Sequence, residues 1–334
     1  MNHMRVGGAL GMAVLAAALT GCATAKLGAA VDLSTTGAGA SSRLLAAATQ
    51  VEDAFGASVR DDRFLRALQA AGVPPGKSCS LIGGGPPVPG AANAGPPSDD
   101  IAKTAAALRA RAQLASALGK AYAAMNALAS YDAGGRVESG VSDVFDAANG
   151  LRGQFGLAPV PAAVGTIASA GAGALAQHRQ LKRLKAASAR MQVALAAYRE
   201  ALVQGMAPTT SVMRDEIGEA YALRIALWRR GYLDANDFIA KAGEGSSLLA
   251  PPPALTRFNA ADEALCSGVR ASLEAERDEA RGAVNDEYKA QIDAIDALLA
   301  AHQDFEKDAG VNATQLAAVL DRLTALANKI AGGK

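Results

Sequence analysis

The chain has 334 residues, half of them apolar but only 4% aromatic, with 33 bases against 32 acids for a formal net charge of +1. That length allows one large or two small domains. The near-neutral balance argues against a general nucleic-acid surface, so no nucleic-acid partner is expected. Alanine is the commonest residue; it is the best helix former and has little surface to bury, which predicts long helices packed closely around a thin core.

The first 21 residues have the layout of a secretory signal. Arg5 supplies the positive end, and Val6 to Thr20 is an uncharged apolar run, short for a span because crossing ~30 Å of hydrocarbon needs about 20 apolar residues. An alanine-type cleavage site at Ala23-Thr24-Ala25 or an uncleaved anchor are the rival readings. The run closes on Leu19-Thr20-Gly21-Cys22, which resembles the lipobox of bacterial lipoprotein precursors. The resemblance covers only this N-terminal stretch. It implies cleavage before Cys22, a diacylglyceryl group on the Cys22 thiol and an acylated amine, two or three chains making a stable anchor where one would not. Ala23 rather than aspartate follows the cysteine, which in the enterobacterial sorting pattern implies the outer membrane, with the protein facing the periplasm or the cell surface. Loss of Arg5 leaves 32 bases against 32 acids.

Residues 22–41 are small and polar and read as the lipidated N-terminus followed by a flexible tether. A helical bundle domain is expected over 42–334. Leu44, Val51, Phe55 and Val59 approximate one helix face, and Asp61-Asp62 reads as a cap for a second piece carrying Phe64, Leu65 and Leu68. Residues 74–97 hold seven of the 13 prolines and six glycines, a composition that neither nucleates a helix nor pairs as a central strand. A near-match to a phosphate loop, Gly72 to Gly76-Lys77-Ser78, has three intervening residues where four are needed and no strand before it.

Ser98-Asp99-Asp100 opens a helix running to about Tyr131, with Leu114, Leu118, Ala121, Met125 and Leu128 at spacings of three and four. Gly134-Gly135 is expected to end it. A shorter helix follows from about Val137 to Leu151. Pro161 fits the first turn of a long helix to about Leu202, whose stripe includes His178, Leu184, Ser188, Met191, Leu195 and Tyr198. A new helix is expected after Ala207-Pro208, carrying Met213, Ile217, Tyr221, Ile225 and Trp228, and a short piece near Phe238. Asp234 to Asp237 superficially resembles a calcium loop but lacks its glycine and glutamate, and reads as a cap. A second very long helix spans about 260–305, ending in a stripe with Tyr288, Ile292, Ile295, Leu299 and His302, and Asn312 with Gln315 reads as a capping box for a last helix. No useful strand alternation occurs. The chain is therefore read as all-α, an elongated antiparallel bundle of about seven or eight helices with two long ones. Residues 162–204 carry +5 and residues 271–308 carry −7, a contrast that suits two solvated faces and biases these helices toward being neighbours.

The residues that could carry chemistry are few. Beyond Cys22 only Cys79 and Cys266 remain, and in an oxidising compartment they read as one disulfide, against two unpaired thiols. Only His178 and His302 survive signal cleavage, each alone on an apolar stripe, where a packed core histidine is the commoner outcome. No metal-ligand spacing, nucleophile elbow or dinucleotide loop occurs, and Glu274, Glu276, Asp278 and Glu279 lie on a helix rich in solvated charge. No catalytic, cofactor or metal site is expected, and the chain reads as a non-enzyme. The expected function is a lipid-anchored structural, assembly or binding factor with a protein partner in the envelope. The alternative is a membrane-active or transport-associated protein using the uncharged segment 155–177, whose prolines, glycines and alanines gain little from lipid.

Overall fold

The computed structural model describes residues 7–70, 98–130, 134–161, 174–229, 263–307 and 313–331, with side chains left out at 7–24 and at some helix ends. Among them the fold is all-α: α1 (Gly7–Ala70), α2 (Asp99–Ala129), α3 (Gly134–Gln154), α4 (Ala174–Arg229), α5 (Glu263–Glu306) and α6 (Ala313–Ile330). The Pro/Gly-rich segment 74–97, the phosphate-loop and calcium-loop look-alikes, the short piece near Phe238 and the Asn312 cap lie outside the described residues.

Three helices are long rather than two, with 64 residues in α1, 56 in α4 and 44 in α5. Two expected breaks are absent. Asp62 does not cap a second piece; it is buried inside α1 and accepts from Arg66 one turn later. Pro208 does not start a new helix, because α4 runs through it. Proline removes the N–H that would reach the Gln204 carbonyl, but Gln204, Ala207 and Pro208 are all exposed, so water can take that carbonyl while Leu202, Thr209 and Met213 stay packed on the other side. Gly134 opens α3 instead of ending α2.

The tether expected at 22–41 is also overturned. Residues in this stretch are helical, and Leu27, Ala30, Leu33, Ser34, Ala40 and Ser41 are buried. Their spacing of three and four is a helical stripe written in small residues, which composition alone reads as linker.

Where the sequence suggested one domain over 42–334, the chain divides into two compact units. Unit 1 is built from residues 1–49, 106–206 and 287–325, and unit 2 from 50–105, 207–286 and 326–334. In unit 1 the expected stripe of α2 is buried throughout, as are Val141, Val144, Phe145 and Ala148 of α3 and Leu184, Met191, Leu195, Tyr198 and Leu202 of α4. The charged faces of α4 and α5 meet as their opposite signs suggested: Arg199 Nε donates to Asp296, Lys185 to the Glu306 carbonyl at 3.1 Å, and Gln192 to the Glu306 carboxylate at 2.6 Å. Unit 2 packs Val51 and Phe55 of α1, Met213, Ile217 and Tyr221 of α4, and Val269, Leu273, Ala280 and Val284 of α5.

The end of α3 is local chemistry. Gly156 sits at φ +69°, the left-handed region that glycine enters without steric penalty, and Leu157 N–H reaches the Arg152 carbonyl at 3.0 Å, closing a Schellman-type turn. The extended strip behind it is tied to α3 by Asn149, which donates to the Val160 carbonyl at 2.9 Å and accepts from Val160 N–H at 2.8 Å.

Close approach is made by missing side chains. A Cβ built on Gly37 would stand 2.3 Å from the Tyr122 ring, and one on Gly140 would stand 3.0 Å from the Ala121 Cα. The Tyr122 ring cannot swing away freely, because its hydroxyl is bonded inside the core. Gly37→Ala is therefore expected to destabilise unit 1 by about 1–3 kcal/mol. Gly39→Ala, two residues on with nothing within 4 Å of its Cβ position, should be neutral or stabilising by up to about 1 kcal/mol through helix propensity. Equal shifts in the denaturant midpoints of the two variants would contradict the packing of residues 27–41.

Candidate functional site

The polar groups with the most chemical potential lie inside unit 1, on the apolar stripes of three helices. On α2, Arg111 stands in register with Leu108 and Leu114 and is completely buried. Its Nη2 donates to Glu287 Oε1 on α5 at 2.6 Å, and its Cζ lies 4.6 Å from the ring centroid of Tyr288, a cation–π distance. Glu287 and Tyr288 are fully buried, and Tyr198 of α4 and Gln291 of α5 nearly so. Arg111 Nε and Nη1, Glu287 Oε2 and Gln291 Oε1 are buried without a hydrogen-bond partner among the described residues.

Burial is the largest single influence on Arg111 and opposes its charge, yet Glu287, Tyr288 and Tyr198 together more than offset it and hold the guanidinium charged. Burial pushes the Glu287 carboxyl above its ordinary range, opposed by Arg111. Burial likewise raises the Tyr198 phenol, with the Arg111 charge acting against it. The pair is thus a geometry lock rather than a large source of stability: removing two charges from water costs several kcal/mol each, which the contact returns only in part.

Further along α2 and α5 stands a second group. His302 is fully buried and bonded at both ring nitrogens, Nε2 to the Tyr122 hydroxyl and Nδ1 to the Ser188 hydroxyl, each at 2.9 Å. The Tyr122 ring centroid is 5.6 Å from that of the imidazole. A neutral imidazole has one donor and one acceptor nitrogen, so the two hydroxyls satisfy it without charge. Burial depresses the ring to about pH 3, and burial alone raises the Tyr122 phenol.

A serine bonded to a histidine that a third group orients is the outline of a nucleophilic relay. Here it cannot act as one, because Ser188, His302 and Tyr122 are each 0% exposed and no reactant can reach the Ser188 oxygen. A groove of about 400 Å³ between α2 and α3 is lined by Lys120, Ala123, Ala124, Ala127, Arg136, Ser139, Gly140 and Asp143, and none of the buried titratable groups opens into it. Among the described residues no group of three or more His, Cys, Asp or Glu is placed to hold a metal ion.

The sequence-level candidates scatter. His302 is the satisfied core histidine that its apolar stripe suggested. His178 lies on α4 and Cys266 on α5, both with side chains outside the described residues, as is the side chain of Cys22 on α1; Cys79 lies outside altogether. Three of the four α5 acids singled out have base partners, Glu274 with Arg270 at 2.8 Å, Asp278 with Arg277 at 2.9 Å and Glu279 with Lys329 of α6 at 2.8 Å, and Glu276 is exposed. Sequence reasoning missed Arg111 and Glu287. The signal was a charge at a stripe position, Arg111 between Leu108 and Leu114 and Glu287 one step past Val284, where a solvated residue would break the apolar face.

No family model matches this chain, and neither does any curated protein or solved structure.

Two outcomes follow from the buried groups. Arg111→Met alone should cost unit 1 about 3–5 kcal/mol in equilibrium unfolding, because it strands the Glu287 carboxylate, whereas adding Glu287→Leu should recover most of that loss. A double variant as damaged as the single one would mean that the pair itself carries the stability. For His302 the folded-state pKa is depressed, so its contribution is complete above the unfolded value of 6.5 and is lost as pH falls toward 3, on the order of 5 kcal/mol in all. His302→Gln, which cannot take up the proton, should flatten the acid limb of a pH–stability curve over that window.

Proposed function

We propose that the mature chain is a lipid-anchored, extracytoplasmic helical protein that works by contact, as a structural, assembly or binding factor in the cell envelope, held at the outer membrane and facing the periplasm or the surface. The observation that carries this reading is the order of features at the N-terminus: Arg5, the uncharged run 6–20, and Leu19-Thr20-Gly21-Cys22. The interior supports it from the other side. Among the described residues the Ser188–His302 contact is sealed, and Glu274 and Glu279 of α5 are paired with bases.

The helix of α1 gives the anchor a definite reach. Leu27 is the first buried side chain among the described ones, and at ~1.5 Å of rise per residue the lipidated end would stand ~8 Å along the helix from it. An extended tether over 22–41 would instead reach ~70 Å. This short leash favours a protein that lies against its membrane over one that samples the periplasm. We read the helices as an elongated antiparallel bundle. Its support is the order of the contacts between α4 and α5 in unit 1, where Lys185, Ser188 and Arg199 meet Glu306, His302 and Asp296 in turn. A Cys79–Cys266 disulfide belongs to the same reading.

The membrane-active alternative would require segment 155–177 to leave the body. Its first residues are held there, since Arg152 Nε donates to the Ala158 carbonyl at 2.9 Å and Asn149 grips Val160. Among the described residues no helix is long and apolar enough to cross a membrane.

The test is detergent phase partitioning of the protein expressed with its own leader, with intact-mass analysis of the mature form. Wild type should enter the detergent phase and begin at an acylated Cys22, and Cys22→Ala should move to the aqueous phase. A mature terminus elsewhere and no added lipid would overturn the anchor. Dye release from liposomes by the soluble form at low protein concentration would favour the membrane-active function instead.

A further inference from the structure

Unit 2 contains a carboxyl group that its neighbours leave uncompensated. Glu216 on α4 is 7% exposed, and its Oε2 is buried without a hydrogen-bond partner among the described residues. Asp62 of α1, 5% exposed, acts on it as a second negative charge. Arg66 is the cation that acts on Glu216, but it is committed elsewhere: its Nε donates to both oxygens of Asp62, at 3.0 and 2.8 Å. From α4 itself the acting groups are Asp215 and Glu219, both acids. From α5, Arg281 turns to Asp215 at 3.9 Å, and from α6, Lys329 turns to Glu279 at 2.8 Å. None of these cations is directed at Glu216.

A carboxylate with one oxygen buried and unpartnered is costly for a fold to hold, and taking up a proton is its simplest relief. We propose that Glu216 is a proton-binding switch: in its neutral form α1 and α4 close over it in unit 2, and when it releases its proton to solvent that contact loosens. The surroundings set the switch near neutrality. Burial and then the Asp62 charge push the carboxyl up to about 7, with Arg66 pulling the other way. Because the folded-state value lies above the ordinary 4.5 of a free glutamate, the stability it contributes is complete below 4.5 and is lost as pH rises through about 7. This trend is opposite in sign to that of His302 in unit 1. The inference is independent of the lipid anchor, and it gives unit 2 a response to the acidity around it.

The test is hydrogen exchange on the full chain between about pH 5.5 and pH 8.5, corrected for the intrinsic rate. The readout is the set of amides around Asp62 in α1 and Glu216 in α4. Opening there should rise by about tenfold across the range in wild type, less than the full shift would give because Glu216 lies near the surface of its unit. Glu216→Gln should hold the low-pH level at every pH. Asp62→Asn removes the neighbouring charge and frees Arg66, so the midpoint should fall toward that of a free glutamate. A flat wild-type profile, or an undiminished rise in Glu216→Gln, would overturn the proposal. If Glu216→Gln does not fold, the Asp62→Asn midpoint decides the matter, and an unmoved midpoint is a refutation.

Discussion

Among the described residues alanine supplies more of the buried apolar positions than any other residue, and at some contacts a large side chain fits because a glycine faces it. That fit constrains how these helices meet. Tyr122 lies over Gly37, Phe155 over Gly205, and Gly140 rests on the Ala121 backbone. Each is a close approach that a single methyl would obstruct. Alanine and glycine let helix axes come near, but they bury little area per residue, so uniqueness has to come from a few specific fits. The long helices suit this economy, because many weak contacts in register accumulate where a few bulky ones would otherwise serve.

The buried polar groups extend the same logic. Leucine against alanine tolerates sliding by a turn, whereas Arg111 against Glu287 does not, since a shift of one turn would strand both charges. The Tyr122–His302–Ser188 string joins α2, α5 and α4 at a second level in the same unit. These contacts fix which face of each helix meets which neighbour. Their complete burial and the full occupation of the His302 ring make them parts of the scaffold.

Two titratable residues shifted by burial, His302 and Glu216, stand in different units and respond in opposite senses. His302 is held neutral by two hydroxyls and resists acid poorly. Glu216 is pushed toward its neutral form by burial and then by the Asp62 charge, and loses its contribution as pH rises through about 7. A protein built this way is most stable over a middle range of pH, set by interior groups rather than by a net charge that is almost zero.

The all-α class, the stripes of α2 and α3, part of that of α5, and the meeting of a basic α4 with an acidic α5 could be read from periodicity and charge, because the 3.6-residue repeat is local and the signs are explicit. The identity of His302 as a core residue followed in the same way. Tertiary contact alone decided the rest. Residues 27–41 look like linker until Leu27, Ala30 and Leu33 find a partner surface, since small residues carry no strong helical signal by themselves. Pro208 reads as a break until its exposed side shows that the lost hydrogen bond faces water. Arg111 and Glu287 are 176 positions apart, and nothing local marks two charges as a pair before the fold removes the water from both. Periodicity reports which face of a helix is apolar; only packing determines what that face meets and which charges are buried with it.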